Sequence, residues 1–409
     1  MTMATNQPEQ SMNRKGTTPR TFRKFALRLG LFWLPIFLVV VCGVETMLWR
    51  SGETWPIGRV IDFQKLHPDF VFLRRYFGQD LYSYKWQALM QKRPDVVVLG
   101  SSRVMKFRAE MFGLTSITSS RSQFYNCGGM IQSAKDFEEG VDLLLAVYNP
   151  KLVIIGVDMW WLNGNYTQKS RIREEVDYDA ALDWRQHMQC FRNLIKSREA
   201  LKEALSAPEK SHALKCIGLG SVAGGGIGFR SDGSISGRKD QLPVRDGVWH
   251  YVDAESPPVR ERAQKNTKQF IPTDGLSRER LDQLERAISG LRNRGVRVIA
   301  FLPPFSNEVA EIIQSSPEQR RIWAEYREIV PQLFKKLEVP CLDASTPARL
   351  GLDDRYMVDG FHGEETMHLH ILKHLLELPE CAGFFPDAAA TIDTALASKE
   401  TNFWYPKMN

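Results

Sequence analysis

Three short apolar runs constrain the fold of this chain more than any other feature. They read VVVLG at 96–100, LVIIGV at 152–157 and VRVIAFL at 296–302, and a polar or proline-containing turn follows each of them. Runs of β-branched residues without polar alternation are typical of strands that are buried on both faces, as in a parallel sheet. Amphipathic helical patterns lie between these runs. The sequence therefore predicts an α/β fold.

Two shorter apolar segments, at 124–127 and 339–342, complete the predicted sheet. Right-handed crossovers between successive parallel strands then produce a doubly wound, flavodoxin-like three-layer sandwich with a five-stranded parallel sheet. The alternation stops between 162 and 276, a stretch rich in charge, Gly and Pro. Long irregular segments inside a compact domain are often functional, so we interpret 162–276 as a large insertion that forms a lid.

The amino-terminal part of the chain predicts a membrane anchor. Residues 29–48 are mostly apolar with Glu45 as the only charge, and a helix of this length spans a hydrocarbon core of about 30 Å. Six Lys or Arg residues precede this run and Arg50 alone follows it directly, which predicts a cytoplasmic amino terminus. The expectation is a single-pass protein of the inner, cytoplasmic membrane; a buried core helix is the alternative.

This anchor divides the chain into segments with different predicted locations. Residues 1–28 form a basic cytoplasmic tail, and 49–94 form a juxtamembrane connector, interpreted as a stalk and a helix. A catalytic domain at 95–378, which includes the insertion 162–276, lies in the periplasm or another extracytoplasmic space. Residues 379–409 form a C-terminal tail for which the sequence pattern gives no clear prediction.

Composition argues against several classes of function. The net charge of +6 is small and spread along a chain with 25% charged residues, so no nucleic-acid interface is expected. The six cysteines contain no C-x-x-C pair, and the His370–His374 pair lacks the glutamate of a zinc-protease motif. Neither a metal nor a cofactor is therefore predicted. Cys190 and Cys216 can form a disulfide if the domain is exported; buried thiols are the alternative.

Two distant segments together contain the residue types of a serine nucleophile and its base. Ser101 and Ser102 directly follow the first strand, and Asp359 and His362 lie three residues apart in a turn before the last helix. A nucleophilic serine needs an imidazole to take its proton and a carboxylate to orient that imidazole. Both segments can emerge at the carboxyl edge of a parallel sheet, where ligands bind in such folds. We therefore expect the two segments to meet.

At these residues the sequence resembles the SGNH (GDSL-like) hydrolase superfamily, in which a Gly-Asp-Ser turn carries the nucleophile and a late Asp-x-x-His pair completes a triad. On this pattern Gly100-Ser101-Ser102 aligns Ser102 with the nucleophile, and Asp359 and His362 with the other two members. The resemblance covers about 95–160 and 277–378, and it implies the SGNH fold.

Two further blocks of that family differ here. The family's second block supplies a glycine to the oxyanion hole, and either Gly128 or Gly129 matches it. The third block, Gly-x-Asn-Asp, uses its Asn as an oxyanion donor, but this chain has Asp158, and an ionised carboxylate only accepts hydrogen bonds. The resemblance thus implies an oxyanion hole formed by the backbone N–H groups of Ser102 and of Gly128 or Gly129. Losing one donor costs on the order of 3 kcal/mol in the transition state.

The Gly-Ser-Ser turn, the anchor and an exported domain together resemble a narrower group, the membrane-anchored proteins that modify cell-envelope polymers. These are similar to the alginate O-acetyltransferase proteins and to the D-alanyl transfer protein of teichoic acid modification. The resemblance implies a serine-dependent acyl transfer, with acetyl as the expected group, to a cell-envelope polysaccharide, and a membrane-bound O-acyltransferase as the partner that supplies the acyl group. Two alternatives stay open: a carbohydrate esterase or deacetylase, and a non-catalytic scaffold that binds the polymer or the acyltransferase.

A few polar and aromatic residues are candidates for contacting such a substrate. Asp158 is either a polar strand end or a substrate ligand, and Arg103 either a salt-bridged structural residue or a phosphate contact. The aromatic and basic candidates at the start of the insertion and within it are Trp160, Trp161, Arg230 and Trp249. Such side chains can stack on sugar rings and bond to hydroxyls, so we expect the insertion to cover Ser102 and exclude water.

Overall fold

The computed structural model describes residues 19–76, 81–114, 123–167, 172–175, 179–236, 244–245, 248–249, 258–381 and 385–397. The chain divides into two compact units, Met1–Met47 and Leu48–Asn409. The prediction that the globular part is a mixed α/β structure is confirmed for the second unit, which contains a five-stranded sheet.

The first unit contains most of a long apolar helix, Pro19–Arg50. An 18-residue window within Phe22–Arg50 has a mean hydropathy of 2.3, and many of the large apolar side chains of this portion, Phe32 among them, are exposed. At 1.5 Å per residue these 29 residues extend about 43 Å, which exceeds the hydrocarbon thickness of a bilayer. Among the described residues this is the one helix long and apolar enough to cross a membrane. That part of the anchor prediction is confirmed.

The main sheet has strands β1 (Val96–Gly100), β2 (Phe124–Gly128), β3 (Leu152–Gly156), β4 (Arg297–Leu302) and β5 (Cys341–Asp343). Their order is β2-β1-β3-β4-β5, and every neighbouring pair is parallel. This order places a topological switch point between β1 and β3, where open α/β sheets bind ligands. The predicted five-stranded parallel sheet is confirmed.

The strands bury both of their faces, as the uninterrupted apolar runs indicate. In β1, Val97 and Leu99 belong to one core cluster, whereas Val96 and Val98 belong to another. The same alternation holds in the other long strands, because successive side chains point to opposite faces of a sheet. One face packs against the helices at 134–147 and 278–293, and the other against the helix at 365–376.

The described α-helices of the second unit include most of the predicted ones, with shifts of a few residues at their ends. They are Ile57–Leu66, Leu81–Lys92, Ala134–Val147, Ile172–Glu175, Trp184–Lys196, Arg198–Ala213, Leu219–Ala223, Val259–Gln264, Arg278–Asn293, Asn307–Ser315, Arg320–Lys336, Glu365–Leu376 and Ala388–Ala397. The tail 379–409, for which the sequence pattern gives no clear prediction, contributes the helix Ala388–Ala397, which packs on the face formed by Glu365–Leu376.

A second, small sheet joins the connector to the insertion. Its strands lie in the order Cys216–Ile217, Val71–Phe72, Gly228–Phe229 and Ile235–Ser236. The connector 49–94 is therefore packed into the second unit rather than extended as a stalk. A further two-stranded hairpin, Val244–Arg245 with Val248–Trp249, lies in the insertion.

The insertion reaches the edge strand β2 through the turn 230–234. The Asn126 N–H donates to the Asp232 carbonyl at 2.8 Å, and the buried Lys85 ammonium donates to the carbonyls of Asn126 and Gly233. The turn 230–234 of the insertion thus lies beside β2 at Asn126. The predicted cover over Ser102 stays a prediction.

Candidate active site

The nucleophile candidate lies on a tight turn at the end of β1. Gly100 permits this turn, since a Cβ at that position would lie 2.8 Å from the Val104 side chain. The turn continues as a short 3-10 helix, Ser102–Val104, capped by the Ser101 hydroxyl, which accepts from the Arg103 N–H at 3.3 Å. Ser101 is buried and acts as a cap, whereas Ser102 is half-buried. The turn therefore presents Ser102 at the carboxyl edge of the sheet.

The acid and base candidates share one compact loop. Asp359 Oδ1 accepts from the backbone N–H groups of Phe361 at 2.9 Å and His362 at 2.8 Å, and its Oδ2 lies 2.6 Å from His362 Nδ1. Burial raises the pKa of Asp359, but the His362 imidazole and these hydrogen bonds outweigh it, so the pKa lies below its usual value. The loop thus favours an ionised carboxylate beside the imidazole.

The structure brings the two segments together. Ser102 Oγ lies 2.8 Å from His362 Nε2, and the two residues are 260 positions apart in the chain. With the Nδ1 proton held by Asp359, Nε2 can accept the proton of the Ser102 hydroxyl. The His362 side chain is 23% exposed and the Asp359 side chain 6%, so the imidazole can meet a substrate while the carboxylate stays shielded.

Arg103 connects four loops around this arrangement. Its buried guanidinium donates to Asp158 Oδ1 at 2.8 Å, to the Pro303 carbonyl at 2.6 Å and to the Phe361 carbonyl at 3.0 Å. Asp158 follows β3, Pro303 follows β4, and Phe361 lies between Asp359 and His362. One side chain therefore ties the loop after β1 to three neighbouring loops, which agrees with the structural alternative for Arg103.

The other candidates at the end of β3 are interior residues. Asp158 is fully buried and pairs with Arg103; burial raises its pKa, and Arg103 opposes part of that effect. Trp161 is stacked on Phe137, with ring centroids 6.1 Å apart, and it is buried. Trp160 is 2% exposed and meets the Phe361 ring edge-on at 6.0 Å. All three predicted substrate contacts therefore pack against protein groups.

The two glycines predicted for an oxyanion hole already donate their backbone N–H groups. Gly128 donates to Asn126 Oδ1 at 2.6 Å, and Gly129 donates to the Gly100 carbonyl at 3.0 Å. Within the described ranges the Ser102 N–H donates no hydrogen bond to a protein group. Of the three predicted donors, Ser102 is thus the one that this arrangement leaves available to an oxyanion.

Asn126 supports the nucleophile turn and was not among the predicted site residues. Its amide Nδ2 donates to the carbonyls of Val104 at 2.8 Å and Phe107 at 2.9 Å, which lie two and five residues after Ser102. Since Asn126 is fully buried, it fixes that turn against β2. The sequence signal for it was a polar residue inside an otherwise apolar strand.

Arg230 extends from the insertion to the helix after the Asp359–His362 loop. Its guanidinium contacts Glu365 Oε1 at 3.2 Å, and Arg108 contacts Glu365 Oε2 at 3.2 Å. Burial raises the pKa of Glu365, but Arg230 and Arg108 outweigh it and the pKa lies below its usual value. Trp249 lies on the strand Val248–Trp249, and its side chain lies outside the described atoms. Arg230 is thus held by a buried acid rather than presented to solvent.

Two more titratable residues next to the triad have displaced pKa values. Burial raises the pKa of Glu364 to about 8, with Lys106 opposing part of the effect. Burial also lowers the pKa of His368 to about 4. The His368 ring nitrogens lie 2.7 Å from the Glu364 carbonyl and 2.9 Å from the Arg103 carbonyl, so this ring connects the last helix to the nucleophile turn. Among the described residues no group of three or more His, Cys, Asp or Glu side chains could hold a metal ion.

The fold and site define a mixed α/β protein with a Ser–His–Asp arrangement at the carboxyl edge of its sheet. No protein-family profile matches the chain, and no curated protein sequence shows significant similarity to it. The function of the chain is therefore inferred from the geometry of this site and from the sequence motifs.

Proposed function

We propose that this chain is a membrane-anchored, SGNH-type serine acyltransferase that acts outside the cytoplasm and transfers an acyl group such as acetyl to a hydroxyl of a cell-envelope polysaccharide. The observation that carries this proposal is the pair of contacts at the site. Ser102 Oγ lies 2.8 Å from His362 Nε2, and His362 Nδ1 lies 2.6 Å from Asp359 Oδ2. Nucleophilic catalysis by serine requires these two contacts, from serine to histidine and from histidine to aspartate.

In the first half-reaction Ser102 Oγ attacks the carbonyl carbon of the acyl donor, and its proton moves to His362 Nε2. The carbonyl oxygen becomes an oxyanion, which the Ser102 N–H is available to stabilise. When the tetrahedral intermediate collapses, the bond to the leaving group breaks and His362 returns the proton to that group. The product is an ester between the acyl group and Ser102, and Asp359 stays ionised throughout.

In the second half-reaction a hydroxyl of the polysaccharide attacks the Ser102 ester. His362 takes the hydroxyl proton and then returns it to Ser102 Oγ as the ester bond to Ser102 breaks. The acyl group leaves on the polysaccharide, and the free serine is restored. No cofactor or metal takes part in these steps.

The amino-terminal helix and its flanking charges support the proposed location. The helix Phe22–Arg50 is long enough to span a bilayer, and the Lys and Arg residues before residue 29 favour a cytoplasmic amino terminus. We propose the inner membrane as the site of anchoring. A polysaccharide acceptor outside the cytoplasm then needs an acyl group delivered across the membrane, and a membrane-bound O-acyltransferase is the proposed supplier.

A second candidate function is a carbohydrate esterase that uses the same acyl-enzyme but lets water attack it. The 23% exposure of the His362 side chain supports this alternative, since water can approach the base. The two functions share the first half-reaction and differ only in the attacking hydroxyl.

The experiment that tests the proposal follows the fate of one acyl group. The full chain in nanodiscs is given p-nitrophenyl acetate with a labelled acetyl group, in the presence and absence of envelope glycan fragments. The acyltransferase proposal predicts that label accumulates on Ser102 and passes to the glycan faster than to water. The variant Ser102→Ala should lose label transfer by several orders of magnitude. Label released only as acetate supports the esterase, and no Ser102-dependent label contradicts both functions.

A further inference from the structure

The insertion carries a helix whose exposed face combines aromatic, apolar and basic residues. In Trp184–Lys196, residues Trp184, Arg185, Met188, Arg192 and Lys196 are exposed, and we name these five the basic helix face. At 100° per residue they cover an arc of about 120°, and the buried Cys190 and Leu194 lie opposite.

The charges of this face have one sign. The helix contains no Asp or Glu, and within the described part of the chain Arg185, Arg192 and Lys196 form no ion pair. Trp184 is 70% exposed, and Leu182, just before the helix, is 74% exposed. A large aromatic ring beside basic residues on one helix face is the pattern of helices that lie at a lipid surface, with the ring at headgroup level.

The insertion segment that carries this helix is fixed at both ends to residues just beyond the apolar helix. The Ile57 N–H donates to Asp179 Oδ2 at 2.8 Å, before the basic helix face begins. After the next helix, Gly218 donates to the Ser51 carbonyl at 2.7 Å and Leu219 to Glu53 Oε2 at 2.6 Å. The apolar helix ends at Arg50, so these anchoring residues follow it by one to seven positions.

These bonds limit how far the basic helix face can be from a bilayer. If the apolar helix spans the membrane, residues 51–57 leave it at the surface. The helix Trp184–Lys196 is about 20 Å long and begins five residues after Asp179. Short-range attraction to anionic headgroups, which decays over about 8 Å at physiological salt, can act at such a position.

From this we infer that the basic helix face binds the anionic lipid surface of the membrane in which the chain is anchored, and so holds the catalytic unit at the bilayer. The inference depends on the proposed anchoring but not on the proposed acyl transfer. It gives the insertion a role at the membrane, and it keeps Ser102 near the bilayer, from which the proposed acyl donor is supplied.

The test measures contact between Trp184 and lipid. Full-length protein is placed in nanodiscs of phosphatidylcholine alone or with about one-third phosphatidylglycerol, each made with and without brominated acyl chains that quench tryptophan. Subtracting the signal of Trp184→Phe from that of the wild type isolates Trp184 from the other tryptophans. We expect Trp184 to be quenched in the anionic bilayer, less so in phosphatidylcholine, and less at high salt.

A charge variant and a matched control separate this surface from a general effect of basic residues. Arg185→Gln/Arg192→Gln/Lys196→Gln should abolish the anionic-lipid component, since each basic residue near such a surface strengthens binding about fivefold. The control Arg320→Gln/Lys335→Gln/Lys336→Gln removes three exposed basic residues of another helix and should leave the quenching unchanged.

Three outcomes overturn the inference, and a separate measurement tests the anchor. Quenching of Trp184 that is absent in both bilayers refutes it, as does equal loss in the two triple variants. Cross-linking of Trp184→Cys to a second copy or to another protein, without lipid quenching, identifies a protein partner and also refutes it. Carbonate extraction tests the anchor by itself: a chain that stays in the membrane while Trp184 is unquenched overturns only the lipid contact.

Discussion

Replacing Arg103 by methionine tests how the four loops of the site are held together. Arg103 and Asp158 both have side chains with 0% exposure, and their N–O distance is 2.8 Å. Arg103→Met leaves a buried carboxylate without its cation, and removing one partner of a buried pair typically costs about 3–5 kcal/mol. The carbonyls of Pro303 and Phe361 also lose a donor, at about 1–3 kcal/mol for a buried acceptor. We therefore expect the free energy of unfolding to fall by at least about 4 kcal/mol.

The matched control is Lys373→Met. Lys373 pairs with Asp393 at the same N–O distance of 2.8 Å, but the two side chains are 43% and 64% exposed. Solvent screening reduces such a pair to about 0–1 kcal/mol. The control thus measures what an ion pair of the same length contributes when it is exposed, whereas Arg103→Met loses a buried pair and two further hydrogen bonds.

The assay is urea unfolding of the full chain in detergent micelles, followed by tryptophan fluorescence. Arg103→Met/Asp158→Leu should lose less stability than Arg103→Met, because no unpaired buried carboxylate remains in the double variant. Arg103→Lys keeps the charge and serves if Arg103→Met does not fold. Similar losses below about 1 kcal/mol for Arg103→Met and Lys373→Met would refute the reasoning.

Three further predictions concern pH, location and the insertion. The folded protein holds Glu364 protonated, with a pKa of about 8, whereas the unfolded chain ionises it near 4.5, so stability should fall as pH rises through this window. In Glu364→Gln the melting temperature, measured from about pH 5 to pH 8, should fall less steeply with pH than in the wild type. An unchanged dependence on pH would contradict the raised pKa of Glu364. A periplasm-dependent reporter fused after residue 60 should be active and a cytoplasm-dependent one inactive; the reverse pattern overturns the orientation. Arg230→Ala removes the contact with Glu365 and should raise hydrolysis of the acyl-enzyme relative to transfer, and unchanged partitioning would argue against a lid.

The strands were predictable because their signal is local. The runs at 96–100 and 152–157 are apolar at every position, and the run at 296–302 is apolar except for Arg297, since both faces of a parallel strand are buried. The helix Asn307–Ser315 was not predicted, although the capping Ser306 precedes it. The helix Ala388–Ala397 was not predicted either, because it has no charged residue in its first turn and its sequence shows little difference between a polar and an apolar face. Such short helices are stabilised by tertiary packing rather than by their own pattern.

The site was predictable only in part, for a different reason. The spacing of Asp359 and His362 and the polar turn at Ser102 are visible in the sequence, whereas the buried network around them is not. Asn126 is visible only as a polar residue within a strand, and Glu364 lies in a segment that looks ordinary. The fold brings Asn126 to the nucleophile turn and Glu364 to Lys106. Contacts between segments that are separated in the chain depend on topology, which local patterns do not encode.

The buried position of Trp160 and Trp161 shows the limit of residue type as a guide. Aromatic residues beside a predicted site suit sugar stacking, but they suit the core equally well. Here the short 3-10 helix Met159–Leu162 turns both rings inward, against Phe305 and Phe137 respectively. The sequence offers no signal that distinguishes these two orientations.

The most direct test of the proposed chemistry is covalent labelling of the folded full chain with a fluorophosphonate, followed by mass spectrometry of the labelled peptide. The label should be found on Ser102, should disappear in Ser102→Ala, and should persist in Ser101→Ala, which removes the hydroxyl that caps the turn. Label on Ser101 would move the nucleophile by one residue. A wild-type chain that is folded but takes no label would contradict serine catalysis and favour a non-catalytic scaffold.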